Sequence, residues 1–181
     1  MKNPNVILLN IDDLGYGDIG CYGSRLNFTP HIDRLAEEGI LFTDFYAPAS
    51  VCTPSRAGLM TGCYPKRIDF QNFGVYDSCN PGEKRDDFVV LMPGQPEGLN
   101  PKEKTIANIF KEAGYSTQMI GKWHLGDQEE YSPLRFGFDH YFGIPYSNDM
   151  GIQPINEFWK RMEYTMCPLP LLRDNQLVEE Q

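Results

Sequence analysis

The chain of 181 residues carries 25 acidic against 16 basic side chains, a formal net charge of −9 at pH 7. That balance argues against nucleic acid and against an anionic membrane surface as partners, since both want clustered lysine and arginine. No apolar run reaches the roughly 20 residues of a membrane span, and 41% hydrophobic with 13% aromatic content suits a globular domain with its own core.

The first element in chain order is the apolar run Val6-Ile7-Leu8-Leu9. It lacks alternation, so it reads as a strand covered on both faces of a parallel sheet. A helix follows, with Thr29 as N-cap, Pro30 as first helical residue and Gly39 as stop. Ile32, Leu35 and Ala36 form its apolar stripe. Ile40 to Tyr46 reads as a second strand. Cys52 to Gly62 reads as a short helix, with Pro54 at its first position and Gly62 as its C-terminal stop. Residues 72–100 are rich in Gly, Pro, Asp and Lys and read as an insertion loop, with a short hairpin and an apolar island at Phe88 to Met92. Thr105 caps a helix over Ile106 to Ala113, stopped by Gly114, and Tyr115 to Ile120 reads as a third buried strand. Residues 152–181 are weakly patterned, and Asp174 to Gln181 reads as a frayed end. The β-α-β-α-β order implies an α/β fold with a parallel sheet and helices on both faces.

The chemistry-bearing residues fall at the ends of these elements. Asp12 and Asp13 come just past the first strand, where open α/β sheets gather ligands. Two adjacent carboxylates repel unless a cation sits between them, and hard oxygen donors suit calcium or magnesium. Cys52 stands at a helix start whose unpaired N–H groups favour an anion, and Arg56 adds a fixed positive charge one turn on. These residues read as a nucleophile beside an oxyanion site. Lys122 and His124 alternate, so an extended backbone points both to one side. There they can clamp an anion and manage a proton. Asp18, His31 and His140 are read as structural.

Asn10 to Asp18, Cys52-Thr53-Pro54-Ser55-Arg56, Gly121-Lys122-Trp123-His124-Leu125-Gly126 and Phe136 to Tyr146 resemble, in that order, segments of the sulfatase family of the arylsulfatase A type. The resemblance implies an alkaline phosphatase-like sandwich, incomplete at the C-terminus, in which residues 1–181 are the N-terminal part of the catalytic domain. It implies hydrolysis of sulfate esters on a sulfated small molecule or glycan. It also implies that a converting enzyme oxidises Cys52 to Cα-formylglycine, and that Ca2+ is bound by Asp12, Asp13 and residue 52. Arg56, Lys122 and His124 then contact the sulfate and the modified side chain. The family's later histidine, lysine and Asp-Asn pair have no counterpart in this sequence, so the isolated chain is expected to be an inactive fragment. The alternative is a phosphodiester or phosphonate monoester hydrolase of the same superfamily. If Met1 is the true start the chain is cytoplasmic, whereas a missing leader would make it periplasmic, secreted or lysosome-like. Besides Cys52 there are four cysteines, Cys21, Cys63, Cys79 and Cys167, enough for two bridges and fitting no zinc site.

Overall fold

The computed structural model describes residues 3–68, 70–71, 75–77, 80–85, 90–151 and 168–180, those from 70 to 85 by their backbone alone. The chain divides into two compact units, Met1–Tyr46 and Ala47–Gln181.

In the first unit, helix α1 (Pro30–Glu38) has the ends its sequence dictates, Thr29 before it and Gly39 after it. The Thr29 hydroxyl turns away from the helix N–H groups. It accepts from Gly20 N at 2.8 Å and donates to Asp33 Oδ1 at 3.0 Å, while Asp33 also accepts from Cys21 N at 2.7 Å. The start of α1 is thereby tied to the short 3-10 turns Tyr16–Asp18 and Gly20–Tyr22. Tyr16 and Tyr22 stack edge to face at 4.6 Å, and their hydroxyls donate to the carbonyls of Phe45 and Phe42.

The two apolar runs of this unit are not strands. Val6 to Leu9 and Ile40 to Tyr46 have no ladder partner among the described residues, and all their large side chains are exposed. Apolarity alone does not make a strand, because the conformation is stabilised by a hydrogen-bonded neighbour, and in their own unit neither run has one.

Among the described residues the second unit holds α2 (Cys52–Thr61), α3 (Ile106–Glu112) and three small sheets. Strand β1 (Phe70–Gln71), hairpin strands β2 (Val75–Asp77) and β3 (Asn80–Arg85), and β4 (Gly98–Leu99) form two antiparallel pairs, β1 with β4 and β2 with β3. The principal sheet runs β5 (Gln118–Ile120), β6 (His140–Gly143), β7 (Pro170–Arg173), β8 (Gln176–Glu180). Only β5 and β6 are parallel, and the remaining pairings are antiparallel. The sheet is therefore mixed, where the sequence suggested a parallel one. The third expected strand is shorter than its apolar run, and as an edge strand it leaves Ile120 exposed.

The end expected to fray is a hairpin. Asp174 and Asn175 form its two-residue turn, Asp174 with φ 56°, which matches the turn chemistry that favours Asp and Asn at positive φ. Asp174 is also latched to β6: Tyr141 N donates to Asp174 Oδ1 at 2.9 Å, and Asp174 N donates to Tyr141 O at 2.7 Å. The core of this unit is Ala57, Ile68, Leu99, Trp123, Leu125, Tyr131, Phe136 and Tyr141. No helix of the described residues is long and apolar enough to cross a membrane.

Candidate functional site

Cys52 is the first residue of α2, with Val51 as the extended N-cap. Pro54 is thus third in the helix, where its missing N–H still costs nothing, since the first turn has no internal acceptors. Gly62 ends the helix at φ 68° as expected. Cys52 is half-buried and makes no disulfide, and Cys21 and Cys63 are also free; Cys79 and Cys167 lie outside the described residues.

Beyond β5 the chain stays beside the extension of β6. Gly121 N donates to Phe142 O at 2.9 Å, Trp123 N to Ile144 O at 3.0 Å and His124 N to Pro145 O at 2.9 Å. The approach is close enough that a Cβ on Gly143 would strike the Gly121 carbonyl. Trp123 is sealed in the core, its indole N–H donating to Tyr131 O at 2.7 Å. His124 takes the left-handed conformation, φ 62°. Its relation to Lys122 is therefore not the plain alternation of an extended strand.

Two ties bring α2 against this segment. Arg56 Nη1 donates to the Lys122 carbonyl. Leu91, at the end of the apolar island, donates its N–H to Thr53 Oγ1 at 3.1 Å and offers its carbonyl to His124 Nε2 at 2.8 Å. The residue next to Cys52 and the histidine thus meet on the main chain of one residue, through the two peptide groups that flank its Cα. Lys122 Nζ donates to Ser147 Oγ at 3.3 Å. Burial holds His124 neutral, its pKa lowered to about 4, with Lys122 and Arg56 pushing the same way and the Leu91 carbonyl and Asp149 opposing. His124 Nδ1 is buried without a hydrogen-bond partner among the described residues.

Thr53, Leu91 and Ser147 were not singled out from the sequence. Ser147 follows directly on the aromatic segment ending at Tyr146, which is a usable signal. The part played by Leu91 is a main-chain one, which no side-chain pattern announces. A separate hollow lined by Trp123, Asp127, Gln128, Ser132 and Asn175 includes none of the expected catalytic residues.

Asp12 and Asp13 lie in the first unit, both exposed, Asp13 at φ 57°. Their oxygen donors suit calcium in kind but not in number. Calcium takes about six to eight ligands, and no group of three or more His, Cys, Asp or Glu gathers among the described residues. His140 is exposed on β6, 3.8 Å from Asp174, consistent with a structural role.

The sulfatase family model matches residues 4–177. The chain belongs to the sulfatase family. This sulfatase chain is 47% identical over 152 residues to Arylsulfatase A of Homo sapiens, covering 83% of this chain and 27% of that protein. It is 42% identical over 171 residues to Arylsulfatase G of Mus musculus (94% and 29%) and 42% identical over 159 residues to Steryl-sulfatase of Mus musculus (84% and 24%). Among solved structures it resembles Ps i-CgsB in complex with k-i-k-neocarrahexaose, with TM-score 0.68 and 31% identity over 92% of this chain and 35% of that one. The PsFucS1 sulfatase from Pseudoalteromonas sp. matches with TM-score 0.54 and 34% identity, over 77% and 25%. The chain spans between 24% and 29% of the length of these three relatives. All three carry sulfatase names.

Proposed function

We propose that the protein carrying this chain hydrolyses sulfate esters, with Cys52, converted to Cα-formylglycine, as the nucleophile. The observation that carries this reading is the pair of ties, Arg56 to Lys122 and Thr53 through Leu91 to His124, that holds the start of α2 against the Lys122–His124 segment. A half-buried residue without a disulfide, at the mouth of a helix, is suited to such a conversion.

Cα-formylglycine supplies a hydrated aldehyde, one hydroxyl to displace the alcohol or phenol from sulfur and a second to let sulfate leave afterwards. Around it the side chains have separate tasks. Arg56, anchored on the Lys122 carbonyl, sets a fixed positive charge one turn from residue 52 and orients the anion. Lys122, steadied by Ser147, faces the sulfate and the leaving oxygen. His124 is neutral at pH 7 and keeps one ring nitrogen bare, so it can take a proton from the hydroxyl at residue 52. Asp12, Asp13 and residue 52 would hold calcium, which would supply positive charge for a bound sulfate; further oxygen ligands would be needed to complete its shell. With a net charge of −9, capture of a sulfated small molecule or glycan depends on these local charges.

The test is mass spectrometry of the peptide spanning Cys52, from a host with a converting enzyme, paired with aryl sulfate turnover. Conversion of residue 52 and loss of turnover in Cys52→Ala are expected. An unmodified thiol together with full activity in Cys52→Ala would sink the mechanism.

A further inference from the structure

Leu91 meets the site through its main chain. Its N–H donates to Thr53 and its carbonyl faces His124 Nε2, and all three residues are nearly sealed from solvent. A carbonyl only accepts, so the ring nitrogen facing it carries the hydrogen. In a neutral imidazole Nδ1 is then a bare acceptor, and it is buried without a partner among the described residues. An orphaned buried acceptor is costly, which points to a donor that arrives with the reaction.

The segment bearing Leu91 is also pinned beyond that residue. Met92 N donates to Gln95 Oε1 at 2.8 Å, Gly94 N to Asp127 Oδ2 at 2.6 Å, and Gln128 Nε2 to Gln95 O at 3.4 Å. Its carbonyl is therefore fixed from two sides, by α2 and by the residues that follow His124.

We propose that the Leu91 carbonyl is a tautomer clamp on His124, and that Thr53, which holds the Leu91 N–H, is a positioning residue for the reaction, acting through the Leu91 main chain. This inference rests on the sulfate-ester reading. Removing the Thr53 hydroxyl leaves the buried Leu91 N–H without its acceptor, and rotation about the Leu91 φ and ψ angles to recover one shifts the neighbouring carbonyl and loosens its hold on Nε2. The ring then divides between two tautomers, and the form with hydrogen on Nδ1 cannot take a proton there. The charges facing the ring, Lys122, Arg56 and Asp149, are untouched by that substitution.

The experiment compares Thr53→Val with Thr53→Ser in the protein expressed from its own gene. Rates on an aryl sulfate are counted per chain converted at residue 52, measured by mass spectrometry. The 15N spectrum of histidine-labelled protein, assigned with His124→Gln, reads the tautomer. Wild type should show His124 as Nε2–H alone. Thr53→Val should show a mixture and lose about tenfold in kcat, with KM held within about twofold, part of what a positioned base contributes. Thr53→Ser should restore both readouts. A pure Nε2–H pattern in Thr53→Val, a fall in kcat with no change in that pattern, or failure of serine to restore it overturns the clamp. A fully converted wild type with no turnover overturns the sulfate-ester reading instead, while the 15N pattern still decides the clamp.

Discussion

Burying a neutral histidine, as at His124, costs stability at low pH. Its folded pKa lies at about 4 against 6.5 for a free histidine, mainly because burial penalises the charged ring. Between those values the unfolded chain binds a proton that the folded chain refuses. Stability is therefore full above pH 6.5 and falls as pH drops toward 4, by on the order of 3 kcal/mol at most for this group. Denaturant unfolding across that range should show the loss in wild type and lack this component in His124→Gln; an identical slope in both would refute the assignment. Arg56 carries a second expectation. Its guanidinium donates to Lys122 O, and in the proposed reaction it would also hold the sulfate, a pairing that lysine's single ammonium cannot reproduce. Arg56→Lys should lower kcat/KM for an aryl sulfate by about 10²-fold, the scale of losing one preorganised donor, with circular dichroism unchanged.

At the level of elements, short helices and strands hold because their ends are tied to neighbours. Helix α3 begins with a capping box: Thr105 Oγ1 accepts from Asn108 N, and Thr105 N donates to Asn108 Oδ1 at 2.9 Å. The same hydroxyl donates to Phe136 O at 2.5 Å, joining α3 to the turn before β6. Thr105→Val should cost about 1–2 kcal/mol, the upper range for a lost cap, because the group is buried; urea unfolding measures it. The β7–β8 turn offers a parallel case. Asp174 supplies both the positive φ and the carboxylate that accepts from Tyr141 N, and Asn175 accepts from Ser132 Oγ at 2.6 Å. Asp174→Ala removes the carboxylate and strains the turn. It should destabilise the protein by about 1–3 kcal/mol, with amide exchange of Tyr141 accelerating beyond that of α3.

For the molecule as a whole, the unsettled matter is calcium. Two carboxylates on one unit cannot fill its shell, so tight binding requires oxygen atoms from more of the protein than the described residues gather. Chelation of the protein expressed from its own gene should lower both its melting temperature and its turnover on aryl sulfate, as removal of a ligand specific to the folded state does. Asp12→Asn with Asp13→Asn should abolish the calcium-dependent part of the melting shift. A melting temperature indifferent to chelator would remove calcium from this account.

The sequence by itself determined the punctuation and the family. Thr29, Gly39, Gly62, Thr105 and Gly114 mark helix ends through backbone rules that act within a few residues, and they hold in the structure. Asp12, Asp13, Cys52, Arg56, Lys122 and His124 stood out in the sequence as candidates because carboxylates, a helix-end thiol and fixed cations have few uses in such spacing. What the sequence could not determine was pairing. Val6 to Leu9 and Ile40 to Tyr46 have the composition of buried strands and lack a ladder in the structure, whereas the polar Asp174-Asn175 end closes a hairpin. A strand depends on a partner distant in the chain, and composition carries no record of that partner. The same holds for Leu91, whose proposed role comes from main-chain atoms every residue possesses. Only the tertiary structure put its N–H on Thr53 and its carbonyl on His124.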